Sequence, residues 1–251
     1  MTTATDQALA NILVTAARER VAMFTRQLVA GLGTAVREGP FAGTVLPATT
    51  SWGDGDLGAK IIGSYEAELH PALQKAAKRR PDVVINVGCA EGFYAIGLAR
   101  LLPEARVFAF DINPDAQRIC AEAAAKNGVG DRVTVGGLCT GDDLVALTTG
   151  ARHALIVMDC EGAERDLLAP EVTARLGRCD VIVECHDFMD ASITPTLTAA
   201  LGARHAVETV VEVARDGAQY AVLRTLNSLD RALMVNEFRP TLMHWLVAWA
   251  R

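Results

Sequence analysis

The chain has 251 residues, 51% of them hydrophobic and 22% charged, with a formal net charge of −6. This is the composition of a folded globular protein and excludes a disordered one, while the acidic balance argues against a nucleic-acid partner, whose phosphate backbone calls for a basic face. No apolar run approaches the ~20 residues of a bilayer span, and the six cysteines form no Cys-x-x-Cys pair behind a start without secretory features, so reduced thiols, a cytoplasmic location and no membrane contact are expected.

Residues 6–37 place Leu9, Ile12, Leu13, Ala16, Val21, Phe24, Leu28 and Leu32 mostly three or four apart, which predicts an amphipathic helix, or two, whose apolar stripe needs covering by the core or by a second copy in a homodimer. Residues 39–63 are rich in Gly, Pro and Thr and hold Trp52, Asp54 and Asp56; the punctuation predicts a loop, either a lid near the site or a surface connection. A helix is expected over 64–77. The basic run Lys75, Lys78, Arg79 and Arg80 closes it, as cations do at a helix C-terminus.

Residues 83–94, Val-Val-Ile-Asn-Val-Gly-Cys-Ala-Glu-Gly-Phe-Tyr, carry the clearest signal. Five β-prone residues run into Gly88, and Gly88 with Gly92 lets the backbone turn sharply and approach a ligand before a helix over 94–102. A second strand, 106–110, delivers Asp111, whose carboxylate suits the two hydroxyls of a ribose. A dinucleotide fingerprint requires Gly-x-Gly-x-x-Gly so that a pyrophosphate meets the helix N-terminus. Here the spacing is Gly88-x-x-x-Gly92, which favours S-adenosylmethionine, a phosphate-free adenosine cofactor, over NAD; the remaining reading is a turn with no ligand.

Beyond it strands and helices alternate: 114–127 helical, 133–135 extended, 144–147 helical, 154–158 extended, 164–176 helical, 181–184 extended, 193–200 helical, then strands 206–214 and 219–224 joined by a turn at 215–217. Such alternation predicts an α/β, Rossmann-like fold: a seven-stranded, mostly parallel sheet with a terminal antiparallel hairpin, helices on both faces and an N-terminal helical extension. The expected division is 1–80 for the extension and lid loop, 81–228 for the cofactor-binding core and 229–251 for a tail packed on it. That tail is a candidate wall of the acceptor pocket, and the helical spacing of Trp245, Leu246 and Trp249 reads as core packing.

Three segments, Asn-Val-Gly-Cys-Ala-Glu-Gly-Phe-Tyr (86–94), Met-Asp-Cys-Glu-Gly-Ala-Glu (158–164) and Val-Glu-Cys-His-Asp (183–187), together resemble the class I S-adenosylmethionine-dependent methyltransferases, most of all the FkbM type. The resemblance covers about residues 61–225. It implies that Gly88, Glu91, Gly92, Asp111 and Ile112 hold S-adenosylmethionine, with Leu138 and Cys139 beside the adenine. One departure is Asn86, where many such enzymes carry an acid; Glu91 is then expected to take over part of that role toward the cofactor's amine.

Methyl transfer from a sulfonium needs a nucleophile held in line and relieved of its proton. The groups suited to this gather at two strand ends, Asp159 and Glu161 after one, Glu184, His186 and Asp187 after the next. Asp159, Glu184 and His186 are the expected catalytic trio, and the same three would ligate a divalent metal such as magnesium, manganese or iron. Alternatively Asp159 orients the cofactor's ammonium, and His186 acts as a general base or is only structural. Glu161 and Glu164 are assigned to the N-terminus of the following helix, Asp187 to a cap, and Tyr65 and Glu66 to a reach toward the pocket or an ordinary helix start. The resulting expectation is O-methylation of a small or medium metabolite. Its rivals are another displacement on the same cofactor, by cyclisation or aminocarboxypropyl transfer, and a non-catalytic adenosyl-binding scaffold subunit.

Overall fold

The computed structural model describes residues 4–49 and 56–251. Three strands, β1 (Val83–Val87), β4 (Ala154–Met158) and β5 (Cys179–Glu184), are buried along their whole length, as nearly unbroken apolar runs must be when both sheet faces are covered. They form the centre of a seven-stranded sheet ordered β3-β2-β1-β4-β5-β7-β6. β2 (Arg106–Phe110) and β3 (Val133–Gly136) extend it in parallel, whereas β7 (His244–Ala250) runs antiparallel between β5 and β6 (His205–Val211).

Helices α3 (His70–Lys78), α4 (Phe93–Leu101) and α5 (Pro114–Lys126) bury Leu73, Ile96, Leu98 and Ala123 against one face. The other face is covered by α6 (Gly141–Thr148), α8 (Pro170–Thr173) and α9 (Ile193–Gly202) through Leu144, Val172 and Leu197. Caps fix two of the loops at the carboxyl edge. The Asn113 side chain accepts from the Asp115 N–H ahead of α5, just after Asp111, and Thr140 with Asp143 forms a capping box ahead of α6, just after Cys139.

The N-terminal helix α1 (Ala4–Leu32) is single. Its second half packs through Val21, Phe24 and Leu28 on Ile62, Tyr220 and Met234, and Arg20 donates two hydrogen bonds to Asp230, at 2.8 and 2.7 Å, on α10 (Ser228–Met234). Its first half leaves Leu9, Ile12 and Leu13 exposed. The loop expected over 39–63 contains a helix at its end, α2 (Leu57–Ile62), closed by Gly63 in a left-handed conformation, and the helix expected over 64–77 is instead a 3-10 turn (Ala67–Leu69) followed by α3, which Pro71 starts at its first turn. Pro170 likewise divides 164–176 into α7 (Glu164–Leu167) and α8. Trp52 and Asp54 of the expected lid lie outside the described residues.

The last strand differs from the sequence expectation. Residues 219–224 form no strand; they sit in the 3-10 turns Gly217–Gln219 and Ala221–Leu223. The Asp216 side chain caps the first turn through the Ala218 N–H, and a Cβ on Gly217 would stand 2.6 Å from the Arg231 carbonyl oxygen, so the segment is folded tightly against α10. The partner of β6 is β7, reached through residues 212–243. Trp245 and Trp249 are four apart, a spacing shared by one helix face and one strand face. Here Trp245, Val247 and Trp249 line one face of the sheet, and Leu246 and Ala248 the other.

Candidate active site

Sheet register sets the geometry of the carboxyl edge. Val87 pairs with Met158, so the next residues, Gly88 and Asp159, meet where the two strands end. Gly88 has φ +75°, and a Cβ there would lie 1.6 Å from the Asp159 carbonyl oxygen; only glycine fits this crossing. The Gly88 and Cys89 N–H groups both donate to the Phe110 carbonyl, each at 2.9 Å, which ties the turn to the end of β2. There the Asp111 carboxylate accepts from the Ala90 N–H at 2.8 Å with one oxygen and from the Asn113 N–H at 2.9 Å with the other. Each oxygen keeps acceptor capacity for a ligand hydroxyl. Ile112 and Leu138 are exposed apolar side chains beside this carboxylate in sequence or in sheet position, 77% and 72% accessible, while Cys139 is buried and its thiol pushed up to about 12 by that burial and the Asp143 charge.

Gly92, in the left-handed region, starts α4 with no side-chain cap, leaving first-turn N–H groups facing the turn. Glu91 is buried, and its carboxylate receives the Lys60 ammonium of α2 at 2.6 Å; that ammonium also lies over the rings of Tyr65 and Phe93. Lys60 carries no signal in the sequence, since a lone lysine in a six-residue helix makes no pattern. Asn86 donates to the Val157 carbonyl within the sheet, at 3.3 Å.

Past β4 and β5, one ligand atom each from Asp159, Glu184 and His186 lie within 4.8 Å of one another. The imidazole is aimed from behind. Its Nδ1 is 2.8 Å from Glu164 Oε1, and this fixes Nε2 toward Glu161 Oε2 at 3.5 Å and toward Asp159 Oδ1 and Glu184 Oε2, each at 3.6 Å. Burial disfavours the imidazolium, but the hydrogen bond to Glu164 and the charges of Glu184, Glu164 and Glu161 outweigh it and raise the His186 pKa above its ordinary value. Burial, then the charges of Glu184 and Glu66, push the Asp159 carboxyl well above the usual carboxylate range. Its Oδ1 has no hydrogen-bond partner among the described residues.

Among these acids one assignment is extended and one changes. Glu164 stands in the first turn of α7 as expected but is fully buried and also orients His186, the Gly162 N–H donating to it at 3.0 Å; Glu161, expected in the same role, lies outside that turn and faces the cavity beside His186. Asp187 does cap the following segment, accepting from the Thr194 N–H at 3.0 Å. Cys160 and Cys185 are protonated small side chains, their thiols pushed up chiefly by burial.

Arg239 completes the site and carries no local sequence signal, since two of its three partners come from distant segments. Its guanidinium pairs with Glu184, with Glu66 at 3.1 Å and with Glu237 at 2.9 Å, and the Tyr94 hydroxyl donates to the other oxygen of Glu66. Burial and repulsion from Glu184 push the Glu66 pKa up to about 8 against the pull of Arg239. Glu66, Glu161 and Phe238 all hold left-handed backbone, φ 46°, 54° and 52°, strain that non-glycine residues keep only where the surroundings impose it. The cavity at this edge, about 200 Å³, runs from these charges to Tyr65, Phe188, Phe238 and Met243.

An O-methyltransferase from Bacillus cereus, solved in complex with SAH, superposes with a TM-score of 0.52 over 100% of this chain and 98% of its own, at 15% identity. The chain has the class I methyltransferase fold. No family model matches it. Curated relatives match over shorter stretches: a probable cobalt-precorrin-6B C(15)-methyltransferase (decarboxylating) of Pyrobaculum aerophilum at 31% identity over 50% of this chain and 63% of its own length, the catechol O-methyltransferase of Sus scrofa at 39% over 23% and 32%, and a release factor glutamine methyltransferase of Deinococcus radiodurans at 34% over 29% and 26%. The chain thus spans a third or less of the last two. In the class I fold, the Gly88 turn and Asp111 stand at the carboxyl edge where strand order reverses between β1 and β4, the crevice in which open α/β sheets bind their ligands.

Proposed function

We propose that the chain is an S-adenosylmethionine-dependent methyltransferase that methylates an oxygen of a small or medium metabolite, in the manner of the FkbM type. The observation that carries the reading is the convergence of Asp159, Glu184 and His186 beside the Gly88 crossing, which puts proton-handling groups next to a turn shaped for a nucleoside. The oxygen acceptor draws support from the names of two relatives, the catechol O-methyltransferase and the Bacillus cereus O-methyltransferase.

In this reading Asp111 accepts the ribose hydroxyls, and Ile112 and Leu138 flank the adenine, with Cys139 beneath it. The turn from Gly88 to Gly92 brings the first-turn N–H groups of α4 to the methionine end, and Glu91, paired with Lys60, sits at that end. The methyl carbon leaves sulfur, whose electron pair stays behind as a thioether, and bonds the acceptor oxygen. The acceptor proton passes to His186 Nε2, the nitrogen that Glu164 leaves facing the cavity. Asp159 Oδ1, buried and without a hydrogen-bond partner among the described residues, together with one carboxylate and one imidazole, fits a divalent cation. Asp159, Glu184 and His186 would hold it, the last through the same Nε2, and once bound it would lower the pKa of an acceptor hydroxyl in place of base catalysis by His186.

The test is incubation with S-adenosylmethionine and a panel of hydroxylated acceptors, with and without chelator, followed by product analysis. S-adenosylhomocysteine as the product supports methyl transfer, and methylthioadenosine points to attack on the aminobutyrate side instead. Activity lost on chelation and restored by magnesium or manganese assigns the trio to metal binding. Activity indifferent to chelation leaves His186 as the base, with a rate that rises with pH through its raised pKa.

A further inference from the structure

A second cavity, about 760 Å³, opens at the opposite, amino edge of the sheet, far from the nucleoside turn. Its wall contains Arg80, Arg152 and Arg178, which stand just before β1, β4 and β5. Those strands are neighbours in the sheet, so the three arginines enter the wall from the starts of three adjacent strands, whose spacing is about 5 Å. Arg79 also lines the cavity but is committed, pairing with Asp180 at 2.7 Å and donating to the Ala250 carbonyl at 2.9 Å. Arg152 is partly committed, to Asp82 at 3.1 Å. The guanidinium groups of Arg80 and Arg178 make no hydrogen bond or ion pair among the described residues, and Glu104 is the one carboxylate among the described residues of the wall.

Two features separate this row from ordinary surface charge. The chain as a whole is acidic, at −6, so a wall with four arginines, two of them paired with Asp180 and Asp82 and two facing only Glu104, runs against the bulk composition. Arg80 also holds φ +54° just beyond α3, the place where glycine is the default residue because a side chain there is strained. The sequence reads the run ending at Arg80 as a helix cap, yet helix α3 ends at Lys78 and Arg80 turns into the cavity wall. The remaining wall holds His153, whose Nε2 is 2.7 Å from Asp180, and is otherwise apolar, with Pro81, Leu101, Leu102 and Pro103.

We propose that this amino-edge cavity binds a small organic di- or triphosphate. Arg80, Arg152 and Arg178 receive the phosphate chain, and Pro81, Leu101 and Pro103 the organic body. A linear chain of two or three phosphates engages successive guanidinium groups through paired N–H donors; a single carboxylate would leave part of the row unused. The volume lies within the range of small-ligand sites. The site is independent of the methyl-transfer reading, because no residue is shared between the two cavities.

The test is calorimetric titration of the full chain with inorganic pyrophosphate, inorganic tripolyphosphate and ADP, each in the presence of S-adenosylhomocysteine to keep adenosine out of the carboxyl-edge site. Saturable binding below about 1 mM is expected, tighter for ADP than for inorganic pyrophosphate because of the organic body. Arg80→Ala and Arg178→Ala should each weaken it about tenfold or more, Arg80→Lys less, and Arg106→Ala, an exposed arginine at the same edge but outside the cavity wall, not at all. Melting temperatures of the variants confirm that each folds. Absence of saturable binding overturns the proposal, and so does an equal loss in Arg106→Ala, which would mean that only general positive charge is at work.

Discussion

Replacing Gly88 by alanine tests the crossing on which the nucleoside turn depends. The new Cβ would stand 1.6 Å from the Asp159 carbonyl oxygen, in a residue held at φ +75°. The backbone conformation alone costs an L-residue about 1–3 kcal/mol. Restoring van der Waals distance requires the ends of β1 and β4 to part by about 1.5 Å. That loosens the Asp159 N–H to Val87 carbonyl bond, now 3.0 Å, and the paired bonds of Gly88 and Cys89 to Phe110, each contributing about 0.5–1.5 kcal/mol. The expected loss is therefore about 2.5–7.5 kcal/mol, or a melting temperature lower by about 5–30 °C at roughly 2–4 °C per kcal/mol for a chain of this size. Gly128→Ala is the control, since that glycine has φ +68° but nothing within 4 Å of the place its Cβ would take, so only the same conformational cost of about 1–3 kcal/mol remains. Thermal unfolding of both variants, with S-adenosylhomocysteine titration of each, reads the difference. Equal shifts in melting temperature for the two would refute the argument from the crossing.

Other consequences are open to measurement. Arg239→Met leaves Glu66, Glu184 and Glu237 without their shared cation and should cost about 3–5 kcal/mol, with Arg239→Lys recovering part; urea unfolding showing less than about 1 kcal/mol would contradict a common anchoring role. Glu66 titrates near 8 in the fold against an ordinary value of 4.5, so the folded state binds its proton more tightly than the unfolded one. Its stabilising contribution is complete below about pH 4.5 and is lost as pH rises through about 8. Wild-type melting temperature should therefore fall more steeply between pH 5 and pH 8.5 than that of Glu66→Gln, and parallel profiles would show that Glu66 is not the group concerned. Lys60→Met removes the buried partner of Glu91; a lower melting temperature is expected, with partial recovery in Lys60→Met/Glu91→Gln, and additive effects in the double variant would mean that the two do not interact.

Much of this arrangement is legible in the sequence. The run ending at Gly88 and the acid at Asp111 announce themselves because tight turns and backbone approach depend on local sequence, and the central strands are recognisable as buried apolar runs. Asp159, Glu184 and His186 come together as expected because parallel strands place equivalent ends side by side. Glu164 is legible only in part, because an acid at a helix start has a ready local explanation, while its other partner, His186, lies on another strand end. Arg239 and Lys60 are invisible for the same reason: their partners meet them only through the tertiary fold. The last strand is ambiguous in sequence because residues 219–224 hold a short continuous apolar run, Tyr-Ala-Val-Leu, of the kind that also forms buried strands, whereas tryptophans four apart fit a helix face and a strand face equally well.

Methyl transfer at this site depends first on cofactor binding. Calorimetric titration of the chelator-treated protein with S-adenosylmethionine and S-adenosylhomocysteine, repeated on Asp111→Ala, measures it. One-to-one binding of both is predicted, weakened about 10–150-fold in Asp111→Ala by loss of charge-assisted hydrogen bonds of about 1.5–3 kcal/mol. No binding of either compound to the wild-type chain would contradict the methyltransferase reading and favour a scaffold role for the same fold.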